Sequence, residues 1–287
     1  MSSPNFASLP ISPQQLEALQ GLGYASMTPV QAQSLPLILS GKDVIIQAKT
    51  GSGKTAAFGI GLLNRLNPRF FGVQALVMCP TRELAEQVGQ SIRQLASRMA
   101  NVKTVLLCGG KPFGSQRDSL HHGAHIVVGT PGRIQDHLQR GTLDLKGVRT
   151  FVLDEADRML EMGFAEVMAS ITSHLPKNRQ TILLSATFPD DIKNISRSLQ
   201  EKPIQITVDA EVSHDEVIIE QLFFEVQRHE RDKTLLALFE HHRPRNAMVF
   251  CNTKKQCAEV AQFLSDHDIE AAAIHGDLDQ RERDQVL

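Results

Sequence analysis

Two stretches of this chain hold residue types that complement one another: AKTGSGKT, from Ala48 to Thr55, and VLDEAD, from Val152 to Asp157. The first is glycine-rich and ends in Lys-Thr. The second is an apolar run ending in adjacent carboxylates. A nucleoside triphosphate carried with Mg²⁺ needs both kinds of group: backbone N–H groups and an ammonium around the phosphates, and a carboxylate on the metal. Gly51 and Gly53 let the backbone turn tightly, so that the N–H groups of Ala48, Lys49, Thr50, Gly51, Ser52 and Gly53 line a phosphate site. Lys54 supplies a point charge to the β- and γ-phosphates, and the Thr55 hydroxyl reaches the metal. The loop departs from the GxxxxGK[ST] pattern at Ala48, which takes the place of its first glycine. Asp154 is read as a metal ligand acting through water, and Glu155 as the group that orients and polarises an attacking water. Alone, the first stretch also reads as a surface turn and the second as an acidic pair favouring a helix N-terminus. Together, in this order, they point to ATP hydrolysis.

Chemistry of this kind needs a rigid carrier. Strand-like runs occur at Asp43–Gln47, Ala75–Cys79, Thr104–Cys108, His125–Gly129, Thr150–Asp154, Thr181–Ser185 and Pro203–Val208. Several are almost continuously hydrophobic, as strands covered on both faces must be. Helical patterns lie between them; from Arg82 to Ala100 apolar residues recur at Leu84, Val88, Ile92 and Leu95. The alternation predicts an α/β fold with a parallel sheet. Its strand ends carry both stretches to one edge, where ligands of open α/β sheets bind.

The pattern breaks in the polar, acidic segment 209–217, which is read as a linker between a first domain over 1–208 and a second over 218–287. The second domain resumes with strands at Gln221–Val226, Ala247–Cys251 and Ala271–His275 and helices at Arg231–His241 and Thr253–His267. Only about 70 residues follow the linker, short of the usual domain size, so this domain is read as incomplete.

At Asp154–Glu155–Ala156–Asp157 the sequence spells DEAD, and the chain resembles the DEAD-box ATP-dependent RNA helicases, most closely their bacterial DbpA group. The resemblance spans nearly the whole chain, with the motifs in family order, and implies a RecA-like P-loop domain followed by part of a second. It makes GYASMTPVQ, Gly23 to Gln31, the adenine-reading element, with Phe6 as its upstream aromatic and Gln31 on the adenine edge. An amide presents a donor and an acceptor together and so distinguishes ATP from GTP. It assigns a grip on the RNA sugar-phosphate backbone to Pro80, Thr81 and Arg82, to Gly109 and Gly110, and to Thr130, Gly132 and Arg133. Guanidinium forks, hydroxyls and closely approaching backbone N–H groups suit that task, although each segment alone reads as a strand-to-helix turn. Ser185 and Thr187 of the SAT motif would hydrogen-bond Asp157 and relay nucleotide state to the RNA side; hydroxyls at a strand end also cap helices. In the second domain Asn252, Thr253, Gln280 and Arg283 would help hold RNA.

The resemblance also implies a cycle in which ATP and single-stranded RNA draw two domains closed, bend one strand of a short duplex and release its partner. The DbpA group adds a C-terminal domain directing it to ribosomal RNA; nothing like it stands in this sequence, so a part in ribosome assembly rests on resemblance. The family's later motifs, including an arginine that reaches the γ-phosphate, are also absent. Such an arginine supplies roughly 10³–10⁵ in rate, so this stretch is expected to bind ATP and hydrolyse it poorly. An RNA clamp without unwinding, a DNA helicase or translocase, and a metabolic P-loop kinase share parts of the pattern.

Composition sets wider bounds. Net charge is −2, so any nucleic-acid binding must use a local surface. No apolar run is long enough to span a membrane, and MSSPNFASLP is not a signal pattern, which predicts a cytoplasmic protein. Cys79, Cys108, Cys251 and Cys257 form no CxxC pair and are expected to be reduced thiols. Oligomeric state is not legible.

Overall fold

Runs of Val, Ile and Leu without polar alternation are stable only when both faces are covered. In the computed structural model, which describes residues 5–49, 51–208 and 220–286, seven such runs form one parallel sheet. The chain divides into two units, Met1–Ser213 and His214–Leu287. The boundary lies within the segment 209–217, which is outside the described residues.

The strands of the first unit are β1 (Val44–Gln47), β2 (Ala75–Met78), β3 (Thr104–Leu107), β4 (Ile126–Gly129), β5 (Thr150–Leu153), β6 (Gln180–Ser185) and β7 (Ile204–Thr207). Each lies within one residue of the expected span. Their helices are α1 (Pro13–Gly21), α2 (Pro29–Leu39), α3 (Lys54–Asn64), α4 (Arg82–Leu95), α5 (Phe113–His121), α6 (Pro131–Gln139), α7 (Ala156–Glu161), α8 (Ala165–Thr172) and α9 (Asp190–Leu199). Starts of α1 and α2 are written locally: Ser12 with Gln15, and Thr28 with Gln31, close capping boxes, each with proline at the first helical position.

Sheet order is β3-β4-β2-β5-β6-β1-β7, and every pair is parallel. Strand residues alternate between two cores. Ile46, Val77, Val128, Val152 and Ile182 meet Ile38, Phe58, Leu62 and Ile92 from α2, α3 and α4. Ile45, Leu76, Val127, Phe151 and Leu183 meet Ile134, Met159, Met168 and Ile192 from α6 to α9. Each such side chain contributes about 1.5–3 kcal/mol on full burial, enough to hold the strand ends rigidly. Because all strands run one way, all their carboxyl ends fall on one edge. Along that edge β6 separates β1 from β5, while β2, β4 and β3 form the other half.

The second unit has α10 (Arg231–His242), α11 (Lys254–Ser265) and α12 (Gln280–Val286). Its two longer helices match the expectation; its strands do not. Gln221–Val226, Ala247–Cys251 and Ala271–His275 run without ladder pairing among the described residues. A strand exists only with a neighbour to bond and a face to bury. No ladder partner is supplied among the described residues, and Phe223 is 90% and Phe250 87% exposed. All four cysteines are free thiols. No helix among the described residues is long and apolar enough to cross a membrane.

Candidate functional site: a nucleotide cleft beside a basic edge

At the end of β1 the chain turns through 48–53 into α3. Gly53 caps that helix at φ 90°, a left-handed conformation natural to glycine. A Cβ there would also lie 2.5 Å from Gln31 Nε2. The first turn of α3, with Lys54 and Thr55, thus opens onto the sheet edge, where unpaired helix N–H groups favour an anion. The Lys54 ammonium donates to the carbonyls of Ala48 and of Lys49, the latter at 2.7 Å, and Ser52 Oγ donates to Lys49 O at 2.8 Å. Thr50 lies outside the described residues.

The start of α2 holds this loop from behind. Thr28 Oγ1 donates to Ser52 O at 2.9 Å, and Gln31 Nε2 donates to Gly53 O at 3.2 Å. Gln31 Oε1 accepts the Thr28 N–H at 3.0 Å, and the side chain is 1% exposed. The amide expected on an adenine edge therefore braces the phosphate loop, since a capping-box position directs it inward. Phe6, the expected upstream aromatic, lies in the core. It is 2% exposed and meets Tyr24 edge-on at 6.1 Å, because its short 3-10 turn tucks the ring into the core.

β5 delivers Asp154 to the same edge, 4% exposed, with its N–H on Met78 O at 3.0 Å. Burial and neighbouring Glu155 push the Asp154 carboxyl up to about 6, against the pull of Lys54. Burial also lowers the Lys54 pKa, opposed by Asp154, Glu155 and Asp157, which places one ammonium among three carboxylates. Glu155 stands at φ 51°, a left-handed conformation that costs a non-glycine residue free energy and concentrates at functional sites. Its carboxylate lies 3.3 Å from Arg158 Nη1.

Asp157, on the first turn of α7, reaches the end of β6. Its Oδ2 accepts the Thr187 N–H and the Thr187 hydroxyl, each at 2.9 Å, and the Ala186 N–H at 3.2 Å. Burial would raise its pKa, but the Thr187 hydrogen bonds outweigh it and the value falls below the ordinary range. Ser185 joins the same cluster: its side chain hydrogen-bonds Asp157, helping to lower the carboxyl's pKa, and its hydroxyl also meets the Thr187 carbonyl. Lys54, Glu155, Asp157 and Ser185 line one cavity of about 260 Å³, together with Arg158 and Glu161. Those last two were missed in the sequence, although both follow the acidic motif within the same helix. A larger cavity, about 800 Å³, lies between α8 and α9 and contains no residue of the phosphate loop.

The residues present fit a metal-bound triphosphate. No cluster of three or more His, Cys, Asp or Glu suited to a metal occurs among the described residues. Mg²⁺ needs none, being held by one or two carboxylates together with substrate phosphates and water. Thr55 and Asp154 are hard oxygen donors of that type, and the positively charged Lys54 stands beside them.

The other half of the edge is basic. Thr81 caps α4 by accepting the Leu84 N–H at 3.2 Å, beside buried Pro80. Arg82 lies over Gly109 and Gly110: a Cβ on Gly109 would sit 3.2 Å from Arg82 Nη2, and one on Gly110, at φ 80°, would collide with the guanidinium. Arg133 Nη1 donates to Lys111 O at 3.0 Å, and Lys111 Nζ pairs with Glu86 at 2.5 Å. Thr130 is the N-cap residue of α6 without a side-chain cap bond, and Gly132 is exposed. The three segments are brought together because β2, β4 and β3 are neighbours. In the second unit Asn252 is exposed, Thr253 caps α11 by accepting the Gln256 N–H at 3.1 Å, and Arg283 lies on α12. The side chain of Gln280 is outside the described residues.

Comparison with known proteins agrees with this layout. The DEAD/DEAH box helicase family matches residues 28–195, and the helicase conserved C-terminal domain matches residues 230–287. The chain is 51% identical over 277 residues to the ATP-dependent RNA helicase DbpA of Escherichia coli K12, covering 96% of this chain and 60% of that protein. It is 42% identical over 282 residues to the DEAD-box ATP-dependent RNA helicase CshA of Geobacillus kaustophilus, covering 98% of this chain and again 60% of the relative. A crystal structure of a DEAD box protein from Methanococcus jannaschii superposes with a TM-score of 0.70 at 39% identity, over 98% of this chain and 76% of that one. The chain thus spans about 60% of the length of these curated relatives. Its α/β fold is RecA-like, and the chain belongs to the DEAD-box helicase family.

Proposed function

We propose that this chain binds ATP with Mg²⁺ at the β1/β6/β5 half of the edge and single-stranded RNA along the β2/β4/β3 half, as part of an ATP-dependent RNA helicase. The observation that carries this reading is the Asp157–Thr187 clasp at 2.9 Å, which ties the acidic motif to the segment leaving β6. The units are read as an ATP-binding domain over 1–208, a linker over 209–217 and part of a C-terminal helicase domain over 218–287.

In this reading Lys54 and the N–H groups of the phosphate loop hold the β- and γ-phosphates. Thr55 and Asp154 hold Mg²⁺, which when bound neutralises developing phosphate charge. Glu155 orients the attacking water and takes its proton. Gln31, through Gly53 O, keeps the loop in register. Arg82, Arg133, Thr81, Thr130 and the glycines at 109–110 grip phosphates and sugars, with Asn252, Thr253, Gln280 and Arg283 adding contacts from the second domain. Such contacts carry little base information, so binding is largely sequence-independent. Ligands act by preferring a closed over an open arrangement. The setting is cytoplasmic, and the whole protein acts on ribosomal RNA during large-subunit assembly.

The test is ATPase activity of the whole protein with RNA or DNA of equal length, alongside strand displacement of a short RNA duplex. RNA stimulation well above DNA supports the reading; stronger stimulation by DNA contradicts it. Stimulation by RNA without displacement would make the protein an ATP-gated clamp. The 287-residue stretch is expected to turn over slowly. Turnover near one per second, about the low end for phosphoryl transferases, contradicts that part.

A further inference from the structure

Phe113 opens α5, three residues after Gly110, and nothing above gives it a role. Its ring stacks on His137 with centroids 4.1 Å apart and planes 14° from parallel. The Arg140 guanidinium lies 4.4 Å from the Phe113 centroid, and that of Arg133 lies 5.8 Å from it. Arg133, His137 and Arg140 stand at i, i+4 and i+7 on α6 and its C-cap, so one helical stripe faces one ring. Arg133 also donates to the Lys111 carbonyl at 3.0 Å. The segment from Gly110 to Phe113 is therefore fastened to α6 at two points.

His137 forms the floor of this arrangement and is 0% exposed. Thr142 Oγ1 donates to His137 O at 3.1 Å and lies 2.8 Å from Nδ1. Nε2 is buried and has no partner among the described residues. Burial, with Arg133 and Arg140 nearby, lowers the His137 pKa to about 4, so the ring stays neutral and stacks as an aromatic plane.

We propose that Phe113 is a positioning residue that sets Arg133 in register with the Gly109–Gly110 turn and Arg82, so that the two arginines meet successive phosphates of one strand. Stacking on His137 holds the ring in place, and the ring holds the Arg133 guanidinium by cation–π attraction at 5.8 Å. This proposal rests on the RNA-binding reading above and deepens it.

The test is fluorescence anisotropy of a labelled single-stranded RNA bound to the 287-residue chain with Mg²⁺ and a non-hydrolysable ATP analogue, with analogue affinity measured in parallel. Phe113→Ala is expected to weaken RNA binding about tenfold and leave analogue affinity within about twofold. Phe113→Tyr, which keeps the ring, restores binding. Phe113→Leu, which keeps apolar bulk without the ring, repeats the loss even if the alanine variant fails to fold. Because Phe113 acts through Arg133, the double variant Phe113→Leu/Arg133→Ala binds no worse than Arg133→Ala alone. Full RNA affinity in Phe113→Leu, or additive losses in the double variant, would overturn the proposal. Absence of RNA binding by the unaltered chain would instead overturn the RNA-binding reading itself.

Discussion

The two halves of the sheet edge are built from the same strand-to-helix turns but carry opposite chemistry. The β1/β6/β5 half gathers Asp154, Glu155 and Asp157 around Lys54, and Asp154 is held up to about 6 by burial and by Glu155. On the β2/β4/β3 half Arg82 lies across two glycines, and Arg133 is docked on a backbone carbonyl. The acidic half suits a triphosphate that brings its own divalent cation; without that cation the carboxylates would repel it. The basic half suits phosphodiesters directly. Sharing one rigid edge lets one clasp, Asp157 to Thr187, belong to the acidic half and still act on the segment that leaves it. The difference teaches that ligand choice is set by which side chains end each strand, with the backbone held constant.

Breaking the acidic half alone should give the largest effect. Lys54→Ala is expected to lower affinity for the Mg²⁺–ATP analogue more than about a hundredfold, because a desolvated charge pair is lost. Calorimetry would show it, and RNA binding measured without nucleotide should not change. Equal loss of both would show that the halves are not separable.

The basic half can be challenged by acid. His137 is neutral when folded, with its pKa lowered to about 4 from an ordinary 6.5. Between those values the unfolded chain binds the extra proton, so stability rises with pH across the window and is lost as pH falls. Against His137→Gln, the unaltered chain should lose about 3 kcal/mol more between pH 7 and pH 4 in urea unfolding. Parallel pH profiles would contradict a buried neutral His137.

Arg133→Ala should weaken RNA binding about tenfold and leave analogue binding unchanged, with Arg133→Lys only partly restoring it, since lysine lacks the planar fork. Smallest is the coupling effect. Asp157→Asn should leave each ligand's separate affinity within about threefold, yet cut their mutual enhancement about fivefold, equally in both directions by linkage. Enhancement that persists would remove the clasp from the account.

The seven strands of the first unit were legible because buried strands read as apolar runs; their order in the sheet was not, because it depends on crossovers that composition does not name. The glycine loop and the acidic motif were legible as residue types at fixed spacing. Burial was not. Gln31 and Phe6 are both buried, one in a capping box and the other in a 3-10 turn, and residue type alone does not convey that. The contact of Ser185 with the Thr187 carbonyl was not legible, because it depends on distances finer than spacing conveys. The stripe Arg133–His137–Arg140 went unread, because its partner Phe113 lies on another helix and only the fold unites them. In the second unit, Ala247–Cys251 has strand composition without a ladder, since a strand requires a neighbour that composition does not name.

The central claim is that Lys54 and Asp154 serve one metal-bound triphosphate. Co-crystallisation with a non-hydrolysable ATP analogue and Mn²⁺, located by its anomalous scattering, tests it most directly. Mn²⁺ is expected on Thr55 and the phosphates, with Asp154 reaching it through water and Lys54 Nζ within hydrogen-bond distance of the β- and γ-phosphates. Manganese remote from Asp154, or phosphates that leave Lys54 on the carbonyls of Ala48 and Lys49, would contradict it.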